Sequence, residues 1–254
     1  MITRENYFEQ ENEMKFFGST QFKAFMECEE GALAKITGKY EPEVTPALLT
    51  GSYVDAHFEG TLDIFQAQHP ELFTRSGDLK VQYKQAEEII QRIERDSLFM
   101  RYMSGEKQVI KTGTLFSHDF KIRMDSYHPG KAIVDLKIIR DFEPIYKEGL
   151  GRVHFIDAWG YDIQAAIYQA VEGNKLPFII AAATKEKGGA DIDLIRIPQY
   201  KIDAALKIVE AYIDRFADIK AGKIEPRRCG KCVWCRSTKV LTGIKEYKEI
   251  ESNE

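Results

Sequence analysis

One short segment, residues 132–139, constrains the fold of this chain more than any other. It reads AIVDLKII, an apolar run interrupted by Asp135 and Lys137. Such a run is typical of a central strand that is buried on both faces of a sheet. Because side chains two residues apart on a strand point the same way, Asp135 and Lys137 share one face. Charges on a buried strand are unfavourable unless they have a partner or a function, so this strand indicates a site.

A hairpin places a second acidic residue near this strand. Asp125 ends the preceding strand, and residues 128–131 read HPGK, with Pro and Gly at the central positions of a type II turn. The turn predicts an antiparallel pair and can bring Asp125 close to Asp135 and Lys137. Two close carboxylates repel unless a cation lies between them, and their oxygens suit Mg²⁺ or Mn²⁺. The alternative is an exposed hairpin with alternating charges and a cross-strand Lys–Asp pair.

The order of the remaining elements predicts the fold class. Ser19 is the expected N-cap of a first helix, and the apolar spacing then predicts one helix each over residues 20–36, 47–67 and 79–103. After the strands come a helix near 155–172, two more strands, and an amphipathic helix that ends at Gly222. This order favours an α/β (α+β) fold with a central mixed β-sheet flanked by helices.

The length of 254 residues suits one domain, 1–254. Within it we distinguish a helical part at 19–103, a core at 105–222 that carries the candidate catalytic residues, and a Cys-containing segment at 223–254. Neither a membrane-spanning run nor an apolar signal segment is visible, which predicts a cytoplasmic protein without a membrane partner.

The charge balance excludes a generally basic nucleic-acid binder, because 36 Lys and Arg face 40 Asp and Glu. A local basic patch remains possible. Residues 220–239 hold seven Lys or Arg against the single acid Glu225, with Trp234 among them. This composition is typical of a patch that contacts a DNA backbone, although a basic helix end would explain part of it.

A third motif completes an ordered set. Gln164 and Tyr168 are four residues apart and therefore share one helix face. Asp125, then Asp135-Leu136-Lys137, then Q-x-x-x-Y resembles the PD-(D/E)XK nuclease superfamily in its RecB-like branch. The layout from about residue 19 to 235 is most similar to RecE-type, exodeoxyribonuclease VIII-like, phage and prophage exonucleases. The resemblance implies a restriction-endonuclease-like core.

The resemblance also implies roles for these residues. Asp125 and Asp135 would bind the divalent metal, Mg²⁺ or Mn²⁺, together with the Leu136 carbonyl. Lys137 would be the catalytic lysine, and the pair Gln164 and Tyr168 would contact DNA.

The third metal ligand departs from the family pattern. The RecB-like branch places a histidine four residues after a glycine, whereas here Asp55 stands four residues after Gly51 and His57 follows two later. Two positions on a helix are about 200° apart, so Asp55 and His57 cannot face one ion. We favour Asp55, because a carboxylate is a sound Mg²⁺ ligand.

The implied activity is the degradation of linear double-stranded DNA from its 5′ ends, with 5′-phosphate products. The remaining 3′ single strands would serve a RecT-like single-strand annealing protein in homologous recombination. Such enzymes are ring-shaped homo-oligomers, phage or prophage encoded, in the cytoplasm of a bacterial host. The alternatives are a non-catalytic, Cys-stapled nucleic-acid-binding module, and an endonuclease or CRISPR-adaptation-type nuclease.

The four cysteines suggest a second metal site. Cys229, Cys232 and Cys235 form a C-x₂-C-x₂-C motif, and Cys28 lies some 200 residues upstream. Four thiolates can hold a [4Fe–4S] cluster or, as the alternative, a structural Zn²⁺. The split resembles the iron–sulfur staple of AddB-type and CRISPR-associated nucleases, with a shorter last spacing. The remaining possibility is that the thiols bind nothing and are buried as small apolar groups.

Overall fold

A computed structural model describes residues 2–244 of the chain. Residues 245–254 of the predicted segment 223–254 lie outside the described residues. Five strands form the central sheet and two short strands form a separate hairpin. The strands are β1 Glu106–Leu115, β2 His118–His128, β3 Ala132–Ile139, β4 Ile145–Lys147, β5 Gly151–Val153, β6 Phe178–Thr184 and β7 Ile192–Arg196. The helices are α1 Gln10–Lys15, α2 Ser19–Glu27, α3 Glu29–Ile36, α4 Pro46–Glu59, α5 Leu62–Gln68, α6 Val81–Glu94, α7 Ser97–Met103, α8 Phe155–Ala158, α9 Tyr161–Glu172, α10 Gln199–Lys220 and α11 Val233–Ser237.

The five-stranded sheet is mixed, with the order β1-β2-β3-β6-β7. Strands β3 and β6 are parallel, from Ile133–Phe178 to Ile139–Thr184, and every other neighbouring pair is antiparallel. The connection between β3 and β6 carries α8 and α9, as a parallel crossover requires. The predicted fold class is therefore confirmed.

Helices cover both faces of the sheet, and β3 alternates between two apolar cores. Ile133 and Ile139 pack on the face covered by α2, α9 and α10, whereas Val134 and Leu136 pack on the face covered by α4, α6 and α7. Asp135 and Lys137 share the parity of Ile133. They therefore lie on the face of the sheet that carries α9, as the two-residue period predicts.

The predicted long helices are broken into shorter ones. The first divides at Cys28, whose extended backbone ends α2 and whose Sγ accepts the N–H of Gly31 at the start of α3. Gly18, not Ser19, is the N-cap of α2. Gly60 and Gly160 adopt left-handed backbone and divide the predicted helices 47–67 and 155–172. Asp96 divides the predicted helix 79–103, because its Oδ1 caps the start of α7. Each break is a capping residue or a glycine in the left-handed region, which ends a helix locally.

The strand that precedes β3 is shorter than an uninterrupted sequence pattern over residues 114–127 would predict. Phe116 and Ser117 both adopt positive φ, 51° and 65°, and turn the chain between β1 and β2. Two successive left-handed residues form the tight turn that suits the twist of a hairpin. The predicted turn at Pro129-Gly130 is confirmed, with φ of 67° at Gly130. Among residues 2–244, none of the helices combines the length and the apolar character that a membrane crossing needs.

Candidate active site

The end of the β2–β3 ladder opens the site. The last paired residues are Ser126 and Val134, and Asp125 and Asp135 follow at the next position of the register. Here the strands separate, and a side chain replaces the backbone contact: Oδ2 of Asp125 accepts the N–H of Leu136 at 3.0 Å. Asp125 and Asp135 therefore lie at the point where β2 and β3 stop pairing.

Asp135 is held from two sides. Its Oδ1 accepts a hydrogen bond from Nε2 of Gln164 at 2.7 Å, and its Oδ2 forms an ion pair with the Lys137 ammonium. Lys137 also donates to the Leu136 carbonyl at 3.1 Å. The structure thus brings together Asp125, Asp135, Lys137 and Gln164, as the sequence predicts.

Asp55 reaches the same place from α4. It lines the cleft with Asp125 and Asp135, and its Oδ1 is buried without a hydrogen-bond partner. His57 lies on the outer side of the helix, where Nε2 contacts Glu94 at 2.8 Å. Of the two alternatives for the third ligand, Asp55 is the one that faces the other aspartates.

The electrostatics of the cluster follow from burial and crowded acids. Burial raises the pKa of Asp135 to about 6, against the opposing pull of Lys137. Burial and the charge of Asp125 hold the pKa of Asp55 well above its ordinary value. Burial alone would lower the pKa of Lys137, but Asp135 and Asp125 outweigh it and the pKa is raised. The cluster therefore favours a positive charge among its carboxylates.

The donor set fits a hard divalent cation. Three carboxylates and the Leu136 carbonyl are oxygen ligands of the kind that Mg²⁺ and Mn²⁺ prefer, and the buried Asp55 Oδ1 still needs a partner. Within residues 2–244, the carboxylate oxygens of the three aspartates do not all lie within 4.8 Å of one another.

Gln108 is a site residue that the sequence analysis missed. It is buried on β1, its Nε2 donates to Asp125 Oδ1 at 3.2 Å, and its Oε1 is buried without a partner. Its φ of 52° is unfavourable for a residue other than glycine. With Asp55 and Asp125 it lines a small cavity of about 10 Å³. A glutamine within a strand pattern carries no signal for this role.

Tyr168 lines the cleft, and its hydroxyl already has a hydrogen-bond partner within the protein. It is buried, and its hydroxyl donates to the Arg123 carbonyl at 2.9 Å. Gln164 is likewise buried and bonded to Asp135. Both therefore order the site, and their direct contact with DNA stays a prediction.

The cleft has a volume of about 460 Å³ and one wall that the sequence analysis did not foresee. Residues 2–17 fold along it, and Tyr7, Phe8 and Glu13 line it together with the acidic cluster. This segment precedes the first motif. It contains only one short helix, α1, so hydrophobic periodicity gives no sign of its position.

The four cysteines converge, as the sequence predicts. Their Sγ atoms all lie within 4.8 Å of one another. Cys28 Sγ is 3.5 Å from that of Cys235 and 3.7 Å from that of Cys232, and Cys229 Sγ is 3.9 Å from that of Cys235. Burial raises the pKa of Cys28 to about 12. Burial acts likewise on Cys229, but backbone N–H groups, foremost that of Cys232, lower its pKa to about 6. We call these four residues the Cys cluster.

The basic segment 220–239 is less available for DNA than its composition suggests. Lys220 is largely buried and donates to the carbonyls of Glu13 and Phe16 and to Gln21. Arg228 pairs with Glu30, and Lys231 pairs with Glu148 at 2.5 Å. These three of the seven basic residues of the predicted patch therefore already have partners within the fold.

Comparisons with known proteins show which family the chain resembles. A family described as a PDDEXK-like domain of unknown function (DUF3799) matches residues 18–238. The crystal structure of a "Putative exonuclease" from Eubacterium rectale is 45% identical, covers 97% of this chain and 96% of its own, and has a TM-score of 0.92. The structure of SSO0001 is 14% identical over 85% of this chain and 92% of its own, with a TM-score of 0.32, too low to support an argument. No curated protein matches the chain.

Proposed function

This chain belongs to the family of PDDEXK-like domains of unknown function (DUF3799), and from that premise we propose that it is a metal-dependent exodeoxyribonuclease. The observation that carries the proposal is the convergence of Asp125, Asp135 and Lys137 where β2 and β3 separate. The provisional exonuclease description of the similar E. rectale protein supports the choice of an exonuclease over an endonuclease.

Asp55, Asp125, Asp135 and the Leu136 carbonyl would hold Mg²⁺ or Mn²⁺ in this proposal. The bound ion supplies a nucleophilic water and neutralises charge that develops on the phosphate. Gln108 and Gln164 keep the carboxylates of Asp125 and Asp135 oriented. Such outer hydrogen bonds fix the direction of ligand oxygens.

Lys137 would act on the substrate. Its ammonium pairs with Asp135, and Asp135 and Asp125 raise its pKa and keep it protonated. A phosphate that enters the cleft offers a second anionic partner, so Lys137 can hold the reacting phosphate and stabilise negative charge in the transition state.

The finer assignment follows the RecE-type resemblance. We propose that the substrate is linear double-stranded DNA with free ends, cut from 5′ to 3′ to 5′-phosphate products. The 3′ single strands would pass to a RecT-like annealing protein in phage-type recombination. A homo-oligomeric ring would enclose the DNA.

The test is digestion of end-labelled linear duplex DNA with Mg²⁺ or with EDTA, beside closed-circular DNA of the same sequence. We expect loss of the linear DNA alone, and only with metal. Lys137→Ala should abolish the reaction, whereas Lys84→Ala, which changes an exposed lysine on α6, should not. The position of the label reports the polarity.

Two results would contradict the proposal. Cleavage of the closed circle means an endonuclease. If folded protein binds DNA without cutting it and Asp135→Asn changes nothing, the chain is a binding module.

We also propose that the Cys cluster holds Zn²⁺. Four thiolates bound to one Zn²⁺ at about 2.3 Å lie about 3.8 Å apart in a tetrahedron. Three of the six separations, 3.5, 3.7 and 3.9 Å, are close to this value, and all six lie within 4.8 Å. In a [4Fe–4S] cluster each thiolate binds a different iron, so the sulfurs lie further apart.

Elemental analysis of anaerobically purified protein tests the metal. We expect one zinc per chain and a colourless protein, and the zinc should be lost in Cys235→Ala but kept in Asp55→Asn. Iron with absorbance near 400 nm would overturn this choice in favour of the iron–sulfur alternative. Absence of both metals would mean that the thiols are unligated.

A further inference from the structure

The segment 2–17 precedes the residues matched by the family and yet forms a wall of the cleft. Two lysines of the core and one arginine of the segment itself fix it in place. Lys121, a fully buried lysine, contacts Glu13 at 2.7 Å and also the Tyr7 carbonyl. Lys220 donates to the Glu13 carbonyl at 2.8 Å, and Arg4 donates to the Lys107 carbonyl at 2.5 Å. The wall is therefore a fixed part of the domain.

Phe8 is the exposed apolar residue of this wall. Its side chain is 64% exposed, whereas the neighbouring Tyr7 is buried, and the two rings meet edge to face with centroids 5.0 Å apart. The guanidinium carbon of Arg123 lies 5.0 Å from the Phe8 centroid and 5.5 Å from that of Tyr7. Phe8 is thus held in position although much of its ring faces solvent.

The residues around Phe8 indicate which kind of ligand its ring would bind. The ring shares one cleft with Asp125, Asp135 and Lys137, where the proposed function places a phosphodiester. Arg123 lines the same cleft and makes no ion pair with any carboxylate of residues 2–244. A flat apolar ring next to an available cation suits a nucleotide, whose base stacks while its phosphate takes the charge.

We propose that Phe8 is the stacking platform for a base of the DNA strand that enters the cleft, with Arg123 as the contact for its phosphate. The inference rests on the proposed function and adds a substrate-binding residue outside the family's matched region. Base stacking contributes about 1–3 kcal/mol per base, which corresponds to about 5- to 140-fold in affinity.

The experiment measures binding of a fluorescent single-stranded oligonucleotide by anisotropy without added Mg²⁺ or Mn²⁺ and without chelator, so that the strand is not cleaved and the Cys cluster keeps its metal. Phe8→Ala should weaken binding about 5- to 140-fold, and Phe8→Trp should retain it. Tyr200→Ala is the matched control, because Tyr200 is an aromatic residue of α10 with 71% exposure that does not line the cleft. It should bind like the wild type.

An oligonucleotide with abasic sites isolates stacking, because it keeps the phosphates and lacks the bases. Wild type should bind it more weakly than the intact strand, and Phe8→Ala should cause no further loss. Equal loss with both strands would overturn the proposal, as would wild-type binding by Phe8→Ala. A changed oligomeric state in Phe8→Ala would assign the ring to a protein interface instead. Digestion of duplex DNA by the wild type, assayed separately, shows whether the proposed function itself fails.

Discussion

Asp125 accepts the backbone N–H of Leu136 through Oδ2 at 3.0 Å. A carboxylate thereby occupies the place of a strand carbonyl, one register position beyond the last β2–β3 pair. This contact lets the strands separate without leaving a buried donor unpaired. The opening that results is where Asp55, Asp135 and Lys137 meet.

Asp55→Asn should affect stability and metal binding in opposite directions. Without metal, replacement of a buried carboxyl group whose ionisation is opposed by burial and by Asp125 should raise the free energy of unfolding at pH 7, by about 1 kcal/mol or more. With Mg²⁺ the variant should gain less stability than the wild type, because a ligand is lost. Thermal unfolding in EDTA and across Mg²⁺ concentrations measures both effects.

His57→Gln is the control for this experiment, since His57 contacts Glu94 outside the cleft. It should respond to Mg²⁺ like the wild type. If His57→Gln loses the Mg²⁺ response and Asp55→Asn keeps it, His57 and not Asp55 is the third metal ligand.

Two variants of Gln108 separate its backbone from its side chain. Gln108→Ala and Gln108→Gly both remove the donor to Asp125, so each should weaken Mg²⁺ binding about tenfold. Only glycine relieves the positive φ of 52°, so Gln108→Gly should be more stable than Gln108→Ala by about 1 kcal/mol. Calorimetric Mg²⁺ titration and urea unfolding give the two values. Wild-type Mg²⁺ affinity in Gln108→Ala would exclude a role in orienting Asp125.

Glu29 should contribute a pH-dependent part of the stability. Arg215 donates to it at 2.6 and 2.7 Å and the Arg227 N–H at 2.7 Å, and these bonds hold its pKa below the ordinary 4.5. A lowered carboxylate pKa stabilises the fold fully above pH 4.5, and the contribution is lost as the pH falls through the folded pKa.

Glu29→Gln should therefore cost about 1–3 kcal/mol at pH 7 and flatten the loss of stability on acidification below pH 4.5. Urea unfolding between pH 3 and 7, roughly the range in which carboxyl groups titrate, measures this dependence. Glu43→Gln, a change of an exposed loop residue, should leave both stability and its pH profile close to wild type. If Glu29→Gln loses stability below pH 4.5 as steeply as the wild type, groups other than Glu29 cause that loss.

Removal of metal from the Cys cluster should destabilise the domain and leave the nuclease centre intact. The cluster joins residues about 200 positions apart, and loss of so long a cross-link should lower the melting temperature by about 10 °C. The Asp125–Leu136 contact lies on other elements, so Mg²⁺ titration of the chelated protein should still show binding below the melting temperature. Loss of Mg²⁺ binding at temperatures where the protein remains folded would show that the two sites are coupled.

The central strand could be predicted from the sequence because its burial pattern is unusual. Asp135 and Lys137 within an apolar run, and the Pro129-Gly130 turn before it, define β3, its partner and its functional face. The turn at Phe116-Ser117 was missed because neither residue is typical of positive φ. In both cases the residue types at the position itself decided whether the sequence could predict the structure.

The remaining parts of the site depend on tertiary contacts. Gln108 acquires its role from a distorted backbone and from Asp125 on the next strand. Phe8 lies in the cleft because Lys121 and Lys220, both far along the chain, hold its segment. Neither position has a periodicity or motif that would distinguish it from a surface residue.

The Cys cluster also has a mechanical consequence. Once it holds a metal, residues 28–235 form a loop closed by metal–sulfur bonds, and β2 and β3 lie inside that loop. Tension applied to the chain on either side of the loop would pass through the cluster and bypass β2 and β3. The position of Asp125 relative to Leu136 would then withstand pulling for as long as the thiolates keep the ion.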